Sequence, residues 1–286
     1  MTYAEDLALA HRMADAADAI AMGRFLSLDL VVETKPDLTP VSDADRDVEE
    51  ALRALVADQC PGDSVIGEEY GKSGDSRRTW IIDPIDGTKN FVRGVPVWAT
   101  LIALVDGDPA TGSDVVVGVV SAPALGRRWW AARGSGAWVG PCGIAWNTTP
   151  SDDESVAGKS ALSSAAPRQL HVSSVASLED ASLSFSGVGG WAQQGRLPQF
   201  LELAEAVWRT RAYGDFWSYM LVAEGAVDVS AEPDVSLWDL AALTVIVEEA
   251  GGRFTNIDGT RGPDGGSGIA SNALLHDRVV ELLAIR

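Results

Sequence analysis

The chain is short of the residues that most often advertise chemistry. It has two cysteines, Cys60 and Cys142, in 286 residues. A chain of this length needs no covalent staples, so so few thiols point to a reduced setting, and the two do not read as a metal-binding pair. Its three histidines, His11, His171 and His276, share no spacing or carboxylate context that would make a triad. Basic runs are missing as well: 22 Lys+Arg against 41 Asp+Glu leave a net charge of −19, which argues against nucleic acid as a partner. No apolar stretch approaches the roughly 18 residues of a membrane span. The opening residues, Met1 to Asp6, carry neither a basic segment nor an apolar leader, so the expectation is a cytoplasmic protein with no membrane partner.

Apolar residues are plentiful, at 46%, enough for one large domain or two closely packed halves and too many for a disordered chain. Leu7, Met13, Ala17 and Ile20 recur on a helical period between Ala4 and Gly23. A second helix starts near Ser42 or Asp43, turns Val48, Leu52, Leu55 and Val56 to one face, and ends at Pro61-Gly62. Short apolar runs at Val65-Ile66, Trp80 to Ile82, Trp98 to Val105, Val115 to Val120 and Arg128 to Ala132 read as consecutive strands. Residues 147–167 are Ser, Asp, Thr and Ala with few large apolar side chains, the composition of a surface loop or linker. Beyond it, strands are expected at Ser182 to Ser186, Arg209 to Ala212 and Val227 to Ser230. Helices are expected at Gln199 to Val207, Phe216 to Glu224, Leu237 to Ala250 and Ala273 to Ile285. The Gly-rich stretch Gly259 to Gly268 lacks the Lys-Ser of a phosphate loop and reads as a turn. The pattern predicts layered α and β structure with two sheets, an N-terminal half (1–146) and a C-terminal half (168–286).

Particular carboxylates carry the chemical argument. Trp80-Ile81-Ile82-Asp83-Pro84-Ile85-Asp86-Gly87-Thr88 sets two aspartates at the end of a buried-looking strand, where ligand sites gather. Pro84 restrains Asp83, and the Ile85 carbonyl adds a third hard oxygen, a donor set suited to Mg²⁺ rather than zinc. Gly87 lets the backbone approach a ligand, and the N–H groups of Gly87 and Thr88 would face an anion if a helical turn starts there. The same string is also a competent turn. Gly67-Glu68-Glu69 ends another short strand and could bring Glu68 to the same rim. Ser236-Leu237-Trp238-Asp239 is a capping-box-like helix start, yet Asp239 shares a face with Leu243, Ile246 and Val247 and would be buried there in need of a partner. Asp43 stands at a helix start, where a cap or a hydroxyl partner would both explain it.

Together, Gly67-Glu68-Glu69, Asp83-Pro84-Ile85-Asp86-Gly87-Thr88 and Trp238-Asp239-Leu240-Ala241-Ala242 resemble the motifs of the inositol monophosphatase family of Mg²⁺-dependent, lithium-sensitive phosphomonoesterases. The resemblance runs from about Lys35 to Gly252 and implies a layered αβαβα sandwich and a homodimer. Within the family it is nearest to the histidinol-phosphate phosphatases of actinobacteria. The residues that carry this are Lys35 to Val41, Gly87 to Trp98 and Arg211-Ala212-Tyr213-Gly214-Asp215-Phe216-Trp217. It implies that Glu68, Asp83 and the Ile85 carbonyl hold one Mg²⁺ and that Asp83, Asp86 and Asp239 hold a second, with a third, weaker ion touching Glu68. It further implies that Glu68 and Thr88 orient the attacking water, and that Asp43 accepts a hydrogen bond from the Thr88 hydroxyl. Glu232 matches the position that contacts the non-phosphate part of the substrate. Asp215 is a further candidate there, and Lys89 could assist phosphate binding, although a helix-cap aspartate and a solvated lysine are the plainer readings. L-Histidinol phosphate, with its cationic amine, is the expected substrate. Inositol 1-phosphate, fructose 1,6-bisphosphate and phosphoadenosine phosphate are the rivals on the same metal chemistry, and a regulatory protein-binding role is the rival of another kind.

Overall fold

Alternating side chains along an apolar strand point to both faces of a sheet, so a strand such as Ala99-Thr100-Leu101-Ile102-Ala103-Leu104 must be covered on both sides. The computed structural model describes residues 3–36, 38–107, 114–142 and 166–285. The expected linker, 147–167, therefore lies outside the described residues except for Ala166 and Pro167.

The chain opens with α1 (Tyr3–Arg24), a hairpin of β1 (Val32–Thr34) and β2 (Pro40–Ser42), and α2 (Asp43–Gln59). Next come β3 (Ser64–Gly67), β4 (Gly71–Ser73), β5 (Arg78–Asp86), the short α3 (Thr88–Val92), β6 (Ala99–Asp106), β7 (Asp114–Ala122), β8 (Arg127–Ala132), β9 (Ala137–Pro141) and β10 (Arg168–Gln169). β11 (Ser182–Ser184), α4 (Gly189–Gln193), α5 (Leu197–Ala206), β12 (Arg209–Arg211), α6 (Asp215–Ala223) and β13 (Val229–Glu232) follow. The chain closes with α7 (Leu237–Glu249), β14 (Arg253–Thr255), β15 (Gly268–Ser271) and α8 (His276–Leu283).

Eight strands form one sheet, in the order β10-β9-β8-β7-β6-β5-β3-β4, and five form another, in the order β12-β11-β13-β15-β14. Successive residues of the large sheet feed two different cores. Trp80, Ile82, Ile102 and Leu104 pack under α1 and α2 with Leu9, Met13, Val48 and Leu52. Ile81, Leu101, Ala103 and Trp129 face the other way, onto Phe216 and Met220 of α6 and Leu240, Leu243 and Val247 of α7. Phe254 and Ala270 bring the small sheet into that same core. On the far side of the small sheet, Leu183, Val229 and Ile269 pack against Phe200 and Leu203 of α5 and Val279 and Leu282 of α8. The result is the expected αβαβα sandwich.

Three differences from the sequence reading have local causes. The β1–β2 hairpin and the strands β14 and β15 are too short for a periodic signal, and pairing with neighbours defines them. α5 begins at Leu197 rather than Gln199, with Pro198 in its first turn, where a missing N–H costs nothing. α8 begins at His276 rather than Ala273, because Ala273 takes a positive φ of 69°.

α7 crosses β7 at Gly118, where a Cβ would come within 2.5 Å of the Ala242 carbonyl oxygen and 2.6 Å of Val245 Cγ1. Gly118→Ala is expected to cost about 1–3 kcal/mol through overpacking. Gly23→Ala, in α1 with no atom within 4 Å of the added methyl, is expected to be neutral or stabilising. Thermal melting of the two variants side by side checks this.

Candidate metal and phosphate site

Asp83 and Asp86 have opposite parity, so in a regular strand they would point to opposite faces of the sheet. The β5–β6 register prevents that. Asp83 lies opposite Leu101 and Asp86 opposite Ala99, so β5 carries one residue more than its partner, a bulge at Pro84-Ile85. Thr100 Oγ1 donates to the Pro84 carbonyl at 2.7 Å and the Ile85 N–H donates to Asp83 Oδ1 at 3.0 Å, which fix the bulge from both sides. Both carboxylates thereby meet Asp239, and one ligand atom from each of the three lies within 4.8 Å of the others.

Each neighbouring element reaches the same point through backbone geometry. β3 runs parallel to β5 with Gly67 opposite Ile82, which carries Glu68 to the edge of the cluster. Gly67 is required there, because a Cβ would fall within 2.0 Å of Glu49 Oε1, the buried carboxylate that receives the Glu69 and Tyr70 N–H groups. Lys35 in the β1–β2 hairpin binds Glu68 at 2.7 Å and Glu69 at 2.6 Å. Asp239 is the third residue of α7, where its carboxylate folds back to accept the Ser236 N–H at 2.7 Å. The cap and the cluster are thus one side chain in two roles. In the first turn of α6, the Phe216 N–H donates to Asp86 Oδ2 at 2.7 Å. Gly87, at φ 84°, turns the chain into α3.

One site assignment is corrected. The Thr88 hydroxyl does not meet Asp43; it lies 3.3 Å from Asp45 Oδ1 and 3.0 Å from the Ile85 carbonyl. Asp43 instead pairs with Arg24 at 2.6 Å. The reason is helical: Ser42 is the N-cap, and the residue whose side chain folds back over the helix start is the third one in, Asp45, which takes both the Ser42 N–H and its hydroxyl at 2.8 and 2.5 Å. The Ser-x-x-Asp spacing singled out at Ser236 is also present at Ser42, and that signal would have found Asp45.

A cavity of about 570 Å³ opens over these groups and is lined by Glu68, Asp83, Ile85, Asp86, Gly87, Thr88, Lys89, Asp215, Glu232 and Asp239. Asn90, Ser186 and Asp234, which the sequence did not mark as site residues, line it too. Asp43 is not among its walls. Glu232 ends β13, is 7% exposed, and accepts from the Tyr219 hydroxyl at 3.0 Å. His11 and His276 lie elsewhere, and burial first, then a nearby arginine, lowers each to about 4, so both are neutral.

The electrostatics are those of a site built for cations. Burial, reinforced by the neighbouring carboxylates, pushes Asp83 and Asp86 well above the ordinary carboxylate range, and Asp239 to about 6. Buried carboxylates so close together require a counter-charge, and an all-oxygen set of three aspartates, a nearby glutamate and the Ile85 carbonyl, which also accepts from Thr88, fits a hard divalent ion.

With the geometry in hand, comparison with known proteins places the chain. The inositol monophosphatase family model matches residues 3–285, and the chain belongs to that family. It is 55% identical to the histidinol-phosphatase of Streptomyces coelicolor, over 98% of this chain and 97% of that protein. It is 56% identical to the histidinol-phosphatase of Mycobacterium tuberculosis, over 98% of both chains. Among solved structures, an inositol monophosphatase from Zymomonas mobilis superposes with a TM-score of 0.80 at 27% identity, covering 100% of both chains. Among the described residues no helix is long and apolar enough to cross a membrane.

Asp239 has a folded-state pKa of about 6 against an ordinary 3.8, so the native state binds more protons, and stability falls as pH rises between those values. Burial raises Asp83 and Asp86 in the same direction, so they add to that loss. Without divalent ions the melting temperature is expected to drop as pH rises from about 4 to 7, and Mg²⁺ to restore it more at neutral than at acidic pH, because ligands must be deprotonated. Asp83→Asn is expected to flatten the pH dependence and abolish the Mg²⁺ shift. A Mg²⁺ shift that survives in that variant would remove Asp83 from the metal site.

Proposed function

We propose that the protein is a Mg²⁺-dependent phosphomonoesterase that hydrolyses L-histidinol phosphate to L-histidinol and phosphate, working as a cytoplasmic homodimer. The observation that carries this reading is a single cavity in which a carboxylate cluster suited to divalent ions faces a second acidic wall, Asp215, Glu232 and Asp234. Both full-length relatives described above are named histidinol-phosphatase.

In this reading Glu68, Asp83, Asp86, Asp239 and the Ile85 carbonyl hold the Mg²⁺ ions. Bound there, Mg²⁺ supplies positive charge to the phosphoryl and leaving oxygens and lowers the pKa of water toward neutrality. The remaining steps belong to the chain. Thr88 has one hydroxyl proton and two acceptors within reach, Asp45 and the Ile85 carbonyl, which leaves its lone pairs to accept from a water bound in the cavity. Asp45 is buried, and burial raises its pKa while the two Ser42 bonds to Oδ2 oppose that rise; its other oxygen, Oδ1, faces the Thr88 hydroxyl. Glu68 holds the other side of that water. The N–H groups of Gly87 and Thr88 open α3 at the cavity wall and, with Lys89, receive the phosphate. At the opposite wall Glu232 and Asp215 receive the substrate's ammonium group, which a neutral polyol would not supply.

Phosphate release from equal concentrations of L-histidinol phosphate, inositol 1-phosphate and fructose 1,6-bisphosphate, with and without Mg²⁺, tests the whole reading. A Mg²⁺-dependent preference for the first is expected; a preference for another ester would keep the metal chemistry and overturn the substrate. Asp45→Asn is expected to lower kcat by about 10–100-fold with little change in KM, whereas Asp43→Asn should leave both within about twofold. Glu232→Gln is expected to raise KM for L-histidinol phosphate about tenfold and to affect phenyl phosphate far less. Steady-state kinetics on the two esters reads each effect.

A further inference from the structure

Between the metal cluster and the acidic wall, one side chain joins the two halves of the cavity. Asn90, in α3, places its amide nitrogen 2.8 Å from the Val97 carbonyl and 3.0 Å from Asp215 Oδ2. Both partners are acceptors, so the amide can face them only with its NH₂ group, and its orientation is set by chemistry. The backbone of Asn90 is engaged too. Its N–H reaches the Gly87 carbonyl at 2.8 Å, and its carbonyl receives the Val95 N–H at 2.9 Å.

Asp215 is held from its other side as well. Its φ is 49°, a left-handed conformation that aspartate tolerates better than most residues, and its N–H donates to Ser186 Oγ at 2.8 Å. The next residue supplies the N–H that binds Asp86. Gly87 lies close beneath: a Cβ there would be 3.5 Å from Asp215 Oδ2 and 3.0 Å from the Val97 carbonyl. Asp215 is therefore held at its backbone N–H by the Ser186 hydroxyl and at its carboxylate by Asn90.

We infer that Asn90 is a specificity-determining positioning residue. By fixing Oδ2 of Asp215 it aims the other carboxylate oxygen at the place where the cationic part of the substrate sits. This rests on the reading of Asp215 given under the proposed function. Asn90 touches neither phosphate nor ammonium group in this account; it acts through Asp215. A charge-assisted bond whose acceptor is already oriented gives up less entropy on binding, so losing the clamp weakens recognition of the amine more than it weakens phosphate hydrolysis.

The test is a double-mutant cycle read on two substrates, L-histidinol phosphate and phenyl phosphate, with thermal melting of each variant. Asn90→Ala and Asn90→Ser are expected to raise KM for L-histidinol phosphate about tenfold, with kcat/KM on phenyl phosphate falling less than about threefold. In the Asp215→Asn background, where the carboxylate charge is already gone, neither Asn90 change should reduce the discrimination further. Equal losses on both esters, or full additivity with Asp215→Asn, would overturn the proposal. Failure of both Asn90 variants to fold while Asp215→Asn folds would make Asn90 a structural tie and would overturn it equally. If Asp215→Asn alone leaves the discrimination unchanged, the reading of Asp215 is what fails, and that result is separate from the others.

Discussion

The mutual repulsion of Asp83, Asp86 and Asp239 is the constraint around which the molecule is built. Left to themselves, buried carboxylates would separate or take up protons, and their raised pKa values record that tendency. The fold overrides it with backbone: a bulge re-aims one aspartate, the start of α6 holds another, and the start of α7 presents the third. Packing of α6 and α7 against the large sheet supplies the energy, through a core that joins Phe216, Leu240 and Leu243 to Leu101 and Trp129. The same apolar surface that stabilises the sandwich also compresses its charges, and a divalent ion would relieve the strain.

Helix starts recur as the device that sets functional carboxylates. Ser42 with Asp45 and Ser236 with Asp239 are both capping boxes, and in each the folded-back carboxylate reaches one further group of the site, Thr88 in the first case and the aspartate cluster in the second. A cap orients a carboxylate without lengthening its side chain or loosening its rotamer, which suits a centre where small displacements matter. In the proposed reading local stability and function use the same atoms, so that a substitution at either aspartate would damage both.

The two walls of the cavity divide the work. In the proposed reading the N-terminal wall, from β3, β5 and α3, receives the phosphate and, with Asp239 of α7, would hold the metal ions. The C-terminal wall, from α6 and β13, carries Asp215 and Glu232, and it is there that a substrate would be distinguished from other esters. Asn90 spans the divide through its bond to Asp215, and on the proposed reading it links the two walls mechanically.

Sequence alone was enough for the elements with a long period or a distinctive string. The helices α1, α2 and α7, the central strands β5 to β8 and the aspartates of Asp83-Pro84-Ile85-Asp86 and Trp238-Asp239 are all legible, because apolar periodicity and turn chemistry are local properties. Tertiary structure alone decided which residues meet. The partner of Thr88 is Asp45 and not Asp43, since only the third residue of a helix folds back over its start. Asp83 and Asp86 share a face because β6 leaves a residue of β5 unpaired, and Asn90 finds Asp215 across 125 residues of chain. Contacts of that span are fixed by the packing of sheets and helices, which no window of sequence contains.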